Sequence, residues 1–167
     1  MKWVTRSRVR LDRTACAWLI LRHIDPQAEI AYVEAGAVAD AIAAGALPFH
    51  NTTGEGAESD ERTSFDLLLT EYKLDQKNPA LVLLREIIHG AEMKDPGAMS
   101  ESEGLRAIAK GTNALVQSDE EMVARMLPVF DALYAYCARR LAGRRGWANQ
   151  DPATEPARKA RAARRVD

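Results

Sequence analysis

Cysteine is scarce in this 167-residue chain: Cys16 and Cys137 are the only two, and neither belongs to a C-x-x-C pair. A disulfide framework and a cysteine zinc site are thereby disfavoured, and both residues, set in apolar helical patterns, read as buried free thiols. Long apolar runs are missing too. Nothing approaches the roughly 18 consecutive apolar residues of a membrane span, and the opening MKWVTRSRVR lacks the apolar stretch of a secretory signal. A cytoplasmic chain that stays out of the membrane is expected. The ten glycines are scattered, which leaves no phosphate loop and no dinucleotide fingerprint, and no G-x-S-x-G is present. Aromatics make up 6% of the chain, and the basic run ARKARAARR contains none to stack on a base. Nucleic-acid contact through that tail would be weak and salt-sensitive.

What remains is the composition of an ordinary folded protein, 47% hydrophobic and 28% charged, of a length that suits one domain. The net charge of -1 conceals an asymmetry: from Arg139 onward nine basic residues face three acids, while the body carries 14 basic against 21 acidic residues. The domain is expected over residues 1–143, with 144–167 a basic, disordered tail. Alternation over Lys2–Val9 predicts a strand that puts Arg6, Arg8 and Arg10 on one face. Asp12 would cap a helix over Arg13–Ile24, which stops before Pro26. A second strand is expected over Ala28–Glu34 and a short helix over Ala37–Ala44. Residues 48–63 have no apolar period and read as a long loop. Helices follow over Ser64–Tyr72 with Ser64 as its cap, from Asn78 to about Met93, over Glu101–Lys110, and over Asp119–Leu141 with Pro128 inside. The expected fold is a predominantly helical α+β domain, with two or three short strands packed against five or six helices.

Two groups of residues carry candidate chemistry. Arg6, Arg8, Arg10 and Arg13 gather where the helix capped by Asp12 begins, and guanidinium forks beside a helix amino end suit a tetrahedral oxyanion. Arg22 closes the same helix, where an ion pair with Asp25 is the economical role. The second group is His89 and Glu92, whose i, i+3 spacing presents both on one helix face. Glu58 or Asp66, from the loop and the start of the following helix, could complete a shell for a divalent metal ion or accept a proton; His50 lies in the same loop. On sequence alone, solvated charge is the more economical account of both groups.

WVTRSRVRLDRTACAWLILRHIDP resembles the opening of the chromate-resistance domain that forms the C-terminal part of ChrB-type proteins. TSFDLLLTEYKLD, PALVLLREIIHGAE and LPVFDALYAYC match further blocks in the same order, so the resemblance covers about Lys2 to Arg140. It implies a cytoplasmic protein of chromate-resistance systems and, in longer members, a chromate-responsive regulator of efflux genes. Arg6, Asp12, Arg13, Trp18, Arg22 and Asp25 match the first block, Ser64, Phe65 and Asp66 the second, and His89 the third. Glu58 stands where relatives often have histidine, and Glu92 where they often have aspartate. Three functions follow as expectations: an oxyanion-binding or sensing protein with chromate as ligand, a metal-dependent enzyme built on His89 and Glu92, or an accessory transcriptional regulator. The partners expected are a small inorganic oxyanion and a second copy in a homodimer.

Overall fold

The computed structural model describes residues 1–49, 62–93 and 99–143. Its first strand, β1 (Lys2–Arg6), lies in the middle of a three-stranded parallel sheet. On one side it pairs with β2 (Glu29–Val33), Lys2 opposite Glu29 and Arg6 opposite Val33. On the other it pairs with β3 (Leu47–Pro48), Trp3 opposite Leu47. Parallel neighbours need a crossover. The helix α1 (Leu11–Leu19) joins β1 to β2, and α2 (Val38–Ala43) joins β2 to β3. Four further helices follow: α3 (Ser64–Glu71), α4 (Pro79–Met93), α5 (Ser100–Leu115) and α6 (Asp119–Ala142). The result is the predominantly helical α+β arrangement that the residue pattern predicts.

Several boundaries differ for identifiable reasons. β1 stops at Arg6 instead of Val9, because Arg8 takes a left-handed backbone at φ 61° and turns the chain into α1. Alternation therefore ends before Arg8, and the argument that sets Arg6, Arg8 and Arg10 on one strand face lapses. Trp3, Val4 and Thr5 are all buried, so this strand is covered on both faces, as central parallel strands are. Asp12 falls in the first turn of α1 and is not its cap; that position belongs to Arg10. The helix continues past Leu19 as a π-helical turn, Ile20–Ile24, and ends before Pro26 as expected. Thr63, not Ser64, caps α3. α5 runs on to Leu115, five residues beyond the Lys110 expected, with Gly111 inside it.

Every residue of α1 is buried, which makes this short helix the axis of the molecule. It packs against α3, α4 and α6. Trp18, wholly buried, rests on Phe130 and Tyr134 of α6. Trp3 meets Phe49 and Tyr72. Each such side chain contributes roughly 2–3 kcal/mol by leaving water. Cys16 and Cys137 are buried and form no disulfide, and burial pushes the Cys137 thiol up to about 11, far from reactive thiolate.

One buried hydroxyl, Thr5 Oγ1, has no hydrogen-bond partner among the described residues. A desolvated, unmatched donor costs about 1 kcal/mol or more, and valine has nearly the same shape without it. Thr5→Val is expected to stabilise the fold by about 1 kcal/mol. Urea unfolding of the two proteins checks this, with a raised midpoint and an unchanged slope as the outcome.

Candidate functional site

A charged pair inside an apolar helix must be matched, because an unpartnered buried charge costs several kcal/mol. Asp12 and Arg13 lie side by side in LDRTACAWL at 6% and 8% exposure. Asp12 reaches across the core to α3, where its two carboxylate oxygens accept the backbone N–H groups of Ser64 and Phe65, each at 3.0 Å. A carboxylate at a helix amino end satisfies orphan donors and the helix dipole together. Arg13 turns the other way. Its Nη1 donates to the carbonyls of Arg6 and Ser7 at 2.6 and 3.2 Å, and its Nη2 to that of Arg8 at 2.9 Å. Thus Arg13 ties down the turn that carries Arg6 and Arg8, both exposed.

The start of α3 extends this network to the histidine. Thr63 and Asp66 form a reciprocal capping box, Asp66 Oδ2 accepting the Thr63 N–H at 2.9 Å. The same oxygen lies 3.0 Å from His89 Nδ1 on α4, and Arg85 Nε is 3.7 Å from Asp66 Oδ1. An imidazole held this way by a carboxylate presents Nε2 outward as a proton acceptor or metal ligand. Asp12, the consecutive Ser64, Phe65 and Asp66, and His89, three places far apart in sequence, therefore meet around one helix end. Among the described residues, no group of three or more His, Cys, Asp or Glu is placed to hold a metal ion. Glu58 and His50 lie outside the described residues.

Beside this network opens a cleft of about 300 Å³ at the amino end of α1. Arg10 and Leu11 form one wall, Ala91 and Glu92 at the end of α4 another, and Arg106, Lys110 and Asn113 of α5 a third. Arg10, Arg106 and Lys110 face Glu92 there, and Arg106 is already matched, its Nη1 donating to Glu103 at 2.8 Å. Arg106 is fixed in place, its Nε donating to the Ala91 carbonyl at 2.7 Å and its Nη2 to that of Gly90 at 2.9 Å. Of the residues singled out from sequence, Arg10 and Glu92 line this cleft, whereas Arg6, Arg8, Arg13 and His89 are not in its wall. Arg106, Lys110 and Asn113 had no local signal. Their spacing of three and four on α5 is the only trace they leave in the sequence.

A family model described as "ChrB, C-terminal domain" matches residues 3–137. The chain belongs to the ChrB C-terminal domain family. Protein ChrB of Cupriavidus metallidurans is 31% identical over 137 residues, which is 81% of this chain and 40% of that protein. The chain thus spans less than half the length of this ChrB relative. No solved structure gives a significant match.

Arg22, the remaining member of the arginine set, lies at the opposite end of α1. The expected pair with Asp25 does not form: Asp25 accepts instead from the Met1 amino group at 2.6 Å and from Trp3 Nε1 at 3.2 Å. Arg22 makes a two-pronged contact with Asp131 of α6, both bonds 3.0 Å, and Asp131 also accepts Trp18 Nε1 at 2.7 Å. Both partners are 44% exposed, so the ion pair itself contributes less than about 1 kcal/mol. His23 stands edge-on between Trp18 and Tyr134. Loss of hydration there lowers its pKa, with Arg22 adding to the effect and Asp131 opposing it.

The depressed His23 pKa sets the sign of a pH effect. As pH falls below about 6.5, the unfolded chain takes up a proton that the folded imidazole resists, so stability is lost on acidification. The melting temperature is expected to fall between about pH 7 and pH 5. His23→Gln should flatten that interval, and an unchanged slope in the variant would refute the assignment.

Proposed function

We propose that this ChrB-family domain binds a small tetrahedral oxyanion, chromate by family association, in the cleft at the amino end of α1. The observation that carries the reading is the convergence of Arg10, Arg106 and Lys110 on one concave surface beside a helix amino end. Guanidinium and ammonium groups supply charge-assisted hydrogen bonds to oxyanion oxygens, and the partial positive charge of the helix adds to them. Asn113 offers a neutral donor. Glu92 stands against the anion and limits the excess of positive charge, which favours a reversible binder over a permanent trap. Arg13 supports the site indirectly by holding the Arg6–Arg8 turn in front of α1. Arg6 and Arg8, exposed on that turn, attract anions toward the cleft. Such a module fits a cytoplasmic sensor or buffer of the oxyanion, and in a longer chain it would serve an accessory regulator of resistance genes.

Calorimetric titration with chromate and with sulfate tests this. The parent should bind one anion per chain, and Arg10→Ala or Lys110→Ala should each weaken binding about tenfold, corresponding to about 1.4 kcal/mol. Absence of heat and of competition with both anions would refute it.

A second reading rests on the Asp66–His89 contact, which is the arrangement that orients a metal-binding or proton-transferring imidazole. In that reading His89 and Glu92 hold a divalent ion with a carboxylate such as Glu58, and the enzyme acts on an anion. Elemental analysis of protein purified without chelator separates the two: stoichiometric metal lost in His89→Ala supports the enzyme, and metal-free protein of unchanged stability removes it.

A further inference from the structure

α5 has two apolar faces, and only one is used by the fold. Ser102, Leu105 and Ala109 turn inward and are buried. On the opposite side, Gly104, Ala107, Ile108, Gly111, Ala114 and Leu115 follow one another at helical spacing and are all exposed. Ile108 and Leu115 are 48% and 67% exposed. This face carries no charge. Ile108 also borders an open groove of about 590 Å³, completed by Glu101 of α5 and by Pro128, Val129, Ala132, Leu133 and Tyr136 of α6. A β-carbon at Gly104 or Gly111 would meet nothing within 4 Å beyond its own stretch of helix, so no packing among the described residues requires glycine there. Glycine inside a helix costs about 1 kcal/mol relative to alanine. Two such positions on one exposed face call for something outside the chain that needs the backbone bare.

We infer that a second copy of this chain covers the α5 face, in a two-fold antiparallel pairing of α5 with the partner's α5. The face is complementary to itself. Ile108 and Gly104 are four residues apart, so a two-fold axis near Arg106 seats each Ile108 on the partner's Gly104, side chain against bare backbone. The flank agrees. Glu103, 72% exposed and paired within its own helix with Arg106 at 2.8 Å, and Lys110 lie two turns apart on the same edge, and the same axis brings each Glu103–Arg106 pair beside the partner's Lys110. An oppositely charged peptide or a nucleic acid finds no counterpart on this uncharged surface. Lys110 borders the anion cleft as well, so the interface is tested through Ile108 and Gly104, which take no part in anion binding.

Sedimentation equilibrium of the full chain is the test. The parent should behave as a dimer of twice 18.4 kDa, with a dissociation constant below about 10 µM. Ile108→Glu should be monomeric with an unchanged circular dichroism spectrum and intact anion binding. Gly104→Ala distinguishes interface from fold: in a monomer it can only favour the helix and raise the melting temperature, whereas in the pairing it blocks close approach and raises the dissociation constant at least tenfold. A parent that sediments as a monomer at about 100 µM, or an Ile108→Glu variant as dimeric as the parent, overturns the inference.

Discussion

Arg13→Ala is expected to lose about 2–4 kcal/mol of folding stability, estimated from the loss of charge-assisted hydrogen bonds and the desolvation of their acceptors. The side chain is 8% exposed and donates to three successive backbone carbonyls, those of Arg6, Ser7 and Arg8. These belong to the turn in which Arg8 has its left-handed backbone. Without the guanidinium the carbonyls lose their donors, the cavity left by the side chain opens beside α1, and the turn keeps its tether to Asp119, which accepts the Arg8 and Val9 N–H groups at 2.8 and 2.7 Å. Arg13→Lys is a sharper test than alanine. It keeps the charge, but a single ammonium on a flexible stem does not reproduce the fork that spans three acceptors. Lysine should therefore recover at most half of the loss. Guanidinium unfolding of the three proteins measures this, and a fully stable lysine variant would mean that charge, not geometry, is what the site requires.

Asp12→Ala should cost about 2–3 kcal/mol, because two backbone donors at the start of α3 lose a charged acceptor in a buried place. The contact is the seam between α1 and the helix that presents Asp66 to His89. Loss of stability should therefore be accompanied by a local effect. Amide hydrogen exchange at Ser64, Phe65 and Asp66 should accelerate more than the global change explains. Asp12→Asn keeps one acceptor oxygen and should fall between parent and alanine. Uniform acceleration across all helices in Asp12→Ala would show instead that the residue serves global packing only.

Much of the fold could be read along the chain, because its signals are local. Pro26 ended the first helical segment, the 3.6-residue stripes of α4 and α6 marked buried faces, and Ser118 capped α6 as its type suggests. The errors share a cause. The alternation at Lys2–Val9 was overridden by a turn whose acceptors are filled by a residue one helix later, and β1 is a central strand, where alternation has no meaning. The partners of Asp12 lie more than fifty residues away. Sequence did carry a hint: Asp12 and Arg13 interrupt an otherwise apolar and small-residue helix, and buried charges demand matching. The cleft was half visible, through Arg10 and Glu92. Its third wall comes from α5, tied to α4 by Ser102 and Arg106, which donate to the carbonyls of Ile87, Gly90 and Ala91, and nothing in a linear pattern links Lys110 to Arg10.

The most direct test of the account is equilibrium dialysis of labelled chromate against parent chain and an Arg10→Ala/Lys110→Ala double variant at fixed ionic strength. The account predicts one saturable anion per parent chain, displaced by sulfate, and about a hundredfold weaker binding in the double variant if the two losses add. Equal binding by the two proteins, or non-saturable uptake that vanishes with added salt, would contradict it.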